Sequence, residues 1–348
     1  MESGAATQVP VVVLTGYLGA GKTTLLNHLL RQPGARVGVV INDFGDVNVD
    51  AGLVSGQVGD PASITGGCLC CIEDTSGLDD ALARLSRPRL RLDVIVVEAS
   101  GLAEPGTLAS LVRLSDVRRV RLGGVVDVVD AAEYFHTLDD GSGQPPVRFD
   151  AATLVVINKV DRLPASRRAP GLARLEQRVR ERNPSVHLVH AVGARIDPTL
   201  IYDAASIEDP PDQLPIGALL REHRAGDGPH HDHRHAASVT VSADGPIEPA
   251  DLVTLFEDPP ATAYRIKGVV RIATDGGTHA YVVNIVGRAA HIARISRPTA
   301  EPTSELVAIG LDLDTVAVGE RLRRALQPTA RPSADGLRRL QHWVRLSR

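Results

Sequence analysis

The nine residues Gly16–Thr24, GYLGAGKTT, decide how the rest of the sequence is read. They match G-x-x-x-x-G-K-[ST], and their setting fits the pattern: the apolar run PVVVL (10–14) precedes them and TTLLNHLLRQ follows at helical spacing. A strand, a glycine-rich turn and a helix in that order make an anion cradle. Glycines let backbone N–H groups approach a phosphate, and the helix N-terminus favours negative charge. Gly16, Gly19, Ala20, Gly21, Lys22, Thr23 and Thr24 are therefore the expected phosphate-binding residues. Lys22 is expected to reach the β- and γ-phosphates, and Thr23 to offer its hydroxyl to Mg²⁺. Lysine is scarce here: of 38 basic residues only Lys22, Lys159 and Lys267 are lysine. Two of the three fall in the strongest motifs.

Working outward, short β-branched runs alternate with helical stretches through about residue 205. The runs are PVVVL (10–14), VGVVI (37–41), DVIVVE (93–98), GGVVDVV (123–129), TLVVIN (153–158) and VHLVHA (186–191). They are nearly continuous apolar segments, as strands covered on both faces should be. LDDALARLSR and LARLEQRVRERN, the latter stopping at Pro184, are expected helices. The alternation predicts an α/β domain over 1–205, a doubly wound, mostly parallel sheet. Residues 206–237, dense in Pro, Gly and His, are expected to be a linker. SVTVS, AYRIKGVVRIA, HAYVVNIVG and HIARIS then alternate as half-exposed strands, with a closing helix around GERLRRAL, so a smaller α+β domain is expected over 238–348.

Further motifs carry chemistry. INKVD places Asn158, Lys159 and Asp161 at a strand end. A carboxylate there accepts two hydrogen bonds from the N1–H and exocyclic amine of guanine, a pair adenine cannot donate, and the lysine stem can lie along the base. VIVVEASG ends a strand on Glu98, placed to hold Mg²⁺ or orient an attacking water, or else to cap the segment that follows. All three cysteines of the chain, Cys68, Cys70 and Cys71, sit in CLCC. Thiolates suit Zn²⁺ and Cu⁺, and two or three leave a position open for another ligand. Small buried side chains or a redox pair are the competing readings, although bridges at such short spacing are strained. PHHDHRH groups His230, His231, His233 and His235 with Asp232, either a metal-collecting tract or a solvated linker.

Composition narrows the classes. The chain has 348 residues, enough for two domains, a net charge of −4 and a pI near 6.3. No basic footprint points to nucleic acid or an anionic membrane surface. MESGAATQVP lacks the pattern of a signal peptide, and the longest apolar runs are too short to span a bilayer. Three thiols cannot all pair within one molecule, so a disulfide framework is not expected. A soluble, cytoplasmic protein is the expectation.

Taken together, GYLGAGKTT, INDFGDVNVD, GGCLCC, VEASGLAEP, VINKVD, the His-rich stretch and RIKG resemble the CobW-type family of P-loop GTPases, nucleotide-dependent metallochaperones of the SIMIBI class. The resemblance implies GTP hydrolysis to GDP and phosphate, with Lys22 and Glu98 as catalytic residues. It implies GTP, Mg²⁺ and a transition metal, zinc foremost, as cofactors, and a client metalloprotein as partner. Metal ligands would come from Cys68, Cys70 and Cys71. Asp43 and Asp46, which stand where family members usually carry Glu, are the further candidate metal ligands. Residues 42–71 run between the phosphate loop and the strand bearing Glu98, a region that senses the γ-phosphate in P-loop folds. Mg·GTP would thus order this segment and draw the thiolates and an Asp together, and hydrolysis would release the metal to a client. A zinc-sensing regulatory module, or an assembly factor with incidental hydrolysis, is the alternative. The metal, the client and the oligomeric state, a homodimer included, stay open.

Overall fold

The computed structural model describes residues 8–31, 36–41, 62–63, 76–99, 104–139, 141–202, 236–274, 276–295 and 303–347. The first sheet is built from β1 (Val9–Gly16), β2 (Val37–Ile41), β3 (Ala62–Ser63), β4 (Val94–Glu98), β5 (Val120–Asp130), β6 (Leu154–Asn158) and β7 (His187–Ala191), in the order β3-β2-β4-β1-β5-β6-β7. Every pairing in it is parallel. The six runs expected from the sequence are all strands, and the two-residue β3 is added at one edge.

Apolar side chains cover both faces. On one, Leu25, Leu26 and Leu29 of α1 (Lys22–Leu30) pack on Val12, Leu14, Val96, Val126 and Val156. On the other, α2 (Ser76–Leu85) and α3 (Pro105–Arg113) pack on Val11, Val13, Ile95 and Val125. After the short α4 (Tyr134–Thr137), α5 (Ala165–Arg182) buries Leu175 and Val179 against Val155 and Ile157. That helix starts seven positions before the expected Leu172 and carries Pro170 inside it. The Ser166 carbonyl left without a helix N–H lies in an exposed turn, where water can bond it.

The register lines up the C-terminal ends of five strands. Leu14 lies opposite Glu98, Gly16 opposite Val128, and Asp130 and Ala191 flank Asn158. In an open α/β sheet this rim is where ligands bind.

The second sheet is antiparallel: β8 (Ala237–Asp244), β9 (Arg265–Thr274), β10 (Gly277–Val286), β11 (Ala289–Arg294) and β12 (Thr303–Gly310), in the order β11-β10-β9-β12-β8. Helices α6 (Pro249–Glu257), α7 (Thr315–Ala325) and α8 (Ala334–Leu346) bury Leu252, Phe256, Leu322 and Leu340 against Val270, Val283 and Leu306. β12, α6 and α8 go beyond the sequence reading, and GERLRRAL lies in α7, with another helix after it.

The two sheets meet at the N-terminal ends of β6 and β7, away from the rim. Tyr264 packs its ring 5.0 Å from that of His187, and its hydroxyl is 3.3 Å from Thr153 Oγ1. Among the described residues no helix is long and apolar enough to cross a membrane.

Candidate nucleotide site

Gly16 ends β1 at φ +147°, and a Cβ there would stand 2.5 Å from the Val128 carbonyl oxygen. Only glycine fits that position without moving the neighbouring strand. The chain then turns, with Ala20 N donating to the Tyr17 carbonyl at 3.1 Å, and enters α1 at Lys22. Lys22 is buried, and its Nζ donates to the Gly16 carbonyl at 2.8 Å and to the Tyr17 carbonyl at 3.4 Å. The ammonium therefore hangs over the concave side of its own loop, where a phosphate would compete for it.

Thr23 Oγ1 donates to Glu98 Oε1 at 3.4 Å. The fold thus brings a hydroxyl from the loop together with a carboxylate from the end of β4. Hard oxygen donors of this kind fit Mg²⁺. Thr24 is exposed next to them.

Asn158, buried at the end of β6, clamps the loop from below. Its Nδ2 donates to the Ala20 carbonyl at 2.9 Å, and its Oδ1 accepts from Ala194 N at 2.7 Å. Lys159, at φ +61°, donates to the Gly19 carbonyl at 2.6 Å and to Asp130 Oδ2 at 2.5 Å. Asp130 Oδ1 also accepts from Ala132 N at 3.0 Å. Asp161 stands exposed in the one-turn helix Val160–Arg162 just after this clamp. Three sequence segments, the loop, the N-K-x-D turn and the turn after β7, are thus tied into one rim.

The structure brings Gly16, Gly19, Ala20, Gly21, Lys22, Thr23, Glu98, Asn158 and Lys159 together. Cys68, Cys70, Cys71, Asp43, Asp46 and the 230–235 tract lie outside the described residues. Among the described residues no group of three or more His, Cys, Asp or Glu side chains is placed to hold a metal. The sequence reading missed Asp130, which the Asp-Ala step ending VVDVVDA could have marked, and Ala194, whose backbone N–H leaves no trace in sequence. It also missed Asp127 and Arg148. They form a buried pair under the loop, Arg148 Nη2 donating to Asp127 Oδ1 at 2.8 Å.

A parallel sheet with a glycine cradle between β1 and α1, and a lysine poised over it, defines a P-loop nucleotide-binding protein. Residues 10–190 match the CobW/HypB/UreG nucleotide-binding domain, and residues 236–326 match the cobalamin synthesis protein cobW C-terminal domain, so the chain belongs to the CobW family. It is 29% identical to the zinc chaperone CobW of Pseudomonas aeruginosa over 363 aligned positions, covering 92% of each chain. It is 36% identical over 162 residues to the zinc-regulated GTPase metalloprotein activator 1 of Schizosaccharomyces pombe, a match spanning 44% of this chain and 39% of that protein. The Zn(II)-bound YjiA GTPase of Escherichia coli aligns over 93% of this chain and 100% of its own at 22% identity, with a TM-score of 0.42.

Proposed function

We propose that this chain is a GTP-hydrolysing metallochaperone that carries zinc on CLCC and passes it to a client protein. The observation that carries the nucleotide half is the double tie of Asn158 and Lys159 to the Ala20 and Gly19 carbonyls, which sets the N-K-x-D turn beside the phosphate loop. In this reading Asp161 selects guanine, Lys22 binds the β- and γ-phosphates, and Thr23 and Glu98 hold Mg²⁺. The ion would offset charge on the transferring phosphoryl group. Glu98→Ala would then spare GTP binding more than turnover. Zinc rests on the names of the relatives and on thiolate chemistry, with Cys68, Cys70 and Cys71 as ligands and Asp43 or Asp46 completing the set. The domain division would be 1–205, 206–237 and 238–348.

The test is a zinc titration of the full chain with Mg·GTP, a non-hydrolysable analogue, GDP or no nucleotide. GTP should tighten zinc, and by linkage zinc should tighten GTP by the same factor, roughly 5–150-fold. Cys70→Ser with Cys71→Ser should remove both the zinc and the coupling while leaving metal-free GTP affinity unchanged. Equal zinc affinity in all four states would defeat the transfer cycle.

A further inference from the structure

We propose that the buried Asp127–Arg148 ion pair is the positioning device that sets the phosphate loop for nucleotide. This inference rests on the reading that Gly16–Thr24 holds nucleotide phosphates. Asp127 is fully buried on β5, directly opposite Thr15 of β1 in the parallel register. Its Oδ1 accepts from Thr15 Oγ1 at 2.8 Å and from Arg148 Nη2 at 2.8 Å. Its Oδ2 accepts from Arg148 Nε at 2.9 Å. The carboxylate is thus held by the guanidinium fork and by a hydroxyl of the residue that leads into the loop.

The same guanidinium lies 5.4 Å from the centroid of the Tyr17 ring, within cation–π range. Thr15 and Tyr17 flank Gly16. One buried ion pair therefore touches the chain on both sides of the glycine whose carbonyl receives the Lys22 ammonium. That placement has a consequence for binding. A phosphate that draws the Lys22 ammonium away from the Gly16 and Tyr17 carbonyls would remove those two internal ties from the loop. The Asp127–Thr15 bond and the Arg148–Tyr17 stack do not depend on Lys22 and keep the cradle in shape. Burying both charges is costly unless each is fully bonded, and the resulting pair has one geometry. Lysine cannot copy it, because an ammonium has no planar fork to span the carboxylate and cover a ring at once.

The test compares affinity for GTP and GDP, using N-methylanthraniloyl nucleotides, with kcat and KM for Mg·GTP and with thermal midpoints. The proteins are wild type, Tyr17→Leu, Arg148→Met, Arg148→Lys, Asp127→Val/Arg148→Met and Lys22→Ala. The double variant leaves no lone buried charge and so keeps the fold. Tyr17 is 37% exposed, and replacing it spares the core. Loss of the stack and the fork should weaken GTP and GDP alike, by about tenfold in both Arg148 variants and the double variant and about threefold in Tyr17→Leu. KM should rise in step while kcat stays within about threefold. If the double variant and Tyr17→Leu fold and bind both nucleotides as wild type does, the pair only ties residues 147–151 to β5 and the inference is overturned. Wild-type nucleotide affinity in Lys22→Ala would instead bring down the phosphate-loop reading, and this inference with it.

Discussion

Gly21 and Asn158 are packed so closely that a Cβ on residue 21 would stand 2.4 Å from Asn158 Nδ2. Residue 21 also sits at φ +111°, where an L side chain is strained. Gly21→Ala must therefore push Asn158 away from the Ala20 carbonyl or distort the entry to α1. Asn158→Ala removes the same bond directly and leaves Ala194 N without its side-chain acceptor. Each buried group left unbonded costs about 1–3 kcal/mol. Both variants should lower GTP affinity by at least about tenfold, as read by isothermal titration. Wild-type affinity in folded Asn158→Ala protein would show that the clamp does not shape the site.

Much of this rim is legible in the amino-acid sequence alone. Continuous apolar runs marked six strands because a parallel sheet is covered on both faces, and G-x-x-x-x-G-K-[ST] and N-K-x-D then fixed which strand ends matter. Elements that escaped have weak local signals. In β12 the inward positions are Ser304, Leu306, Ala308 and Gly310, of which Leu306 alone is a large apolar residue, and the fully buried Ser304 bonds Arg271 N and the Gly245 carbonyl. The helix α6 is nine residues long and depends on Glu248, whose carboxylate accepts from Ala250 N and also from Ser333 just before α8. Contacts between residues so far apart in sequence have no local pattern. The same holds for Arg148 and Asp127, whose partnership exists only once β5 and the 147–151 turn are folded together.

Guanine selection should reside in Asp161. Its exposed turn follows directly on Lys159, whose ammonium is already committed to Gly19 and Asp130. Asp161→Asn replaces an oxygen acceptor with an amide donor and should shift preference from GTP to xanthosine triphosphate. A site built on such bonds discriminates by roughly 10⁴-fold or more. Competition binding with GTP, XTP and ATP decides it: a wild type that takes ATP as well as GTP would end the assignment.

Acid should weaken the junction between the sheets. Burial beside Tyr264 pushes His187 down to about 4. Burial, and then the nearby Arg121 guanidinium, pushes His291 down to about 4, with the Ser347 backbone opposing. In the unfolded chain both rings titrate near about 6.5. Between those limits the unfolded state holds more protons than the folded one, so stability rises with pH there. Their neutral forms stabilise fully above about 6.5, and the contribution is lost progressively as pH falls toward 4. His187→Gln should therefore flatten the fall in thermal midpoint between pH 7 and pH 5. An equal slope in variant and wild type would remove His187 from the account.

After β7 the chain passes through the clamp at Ala194 and then runs back along α1. The Ile196 carbonyl lies 2.9 Å from His28 Nε2, and Tyr202 OH donates to the Leu29 carbonyl at 3.4 Å. Between these contacts Asp197 Oδ1 accepts from Thr199 N at 2.9 Å and from Thr199 Oγ1 at 2.7 Å, while Oδ2 accepts from Ala236 N, the residue before β8, at 2.9 Å. One carboxylate thus joins the segment behind the nucleotide rim to the first strand of the second sheet. Arg265 of β9 adds a 3.5 Å bond to the Thr199 carbonyl. Asp197→Ala leaves the Thr199 and Ala236 amides without that acceptor, at a cost of about 1–3 kcal/mol. At roughly 2–4 °C per kcal/mol for domains of this size, the thermal midpoint should drop by several degrees. Asp197→Asn keeps one carboxamide oxygen and should recover part of the loss. The rim bonds of Asn158 and Lys159 do not pass through Asp197, so GTP affinity at 25 °C should change by less than about threefold. A midpoint unchanged in Asp197→Ala would mean that this link carries no stability, and a collapse of GTP affinity would mean that the nucleotide rim depends on the second sheet.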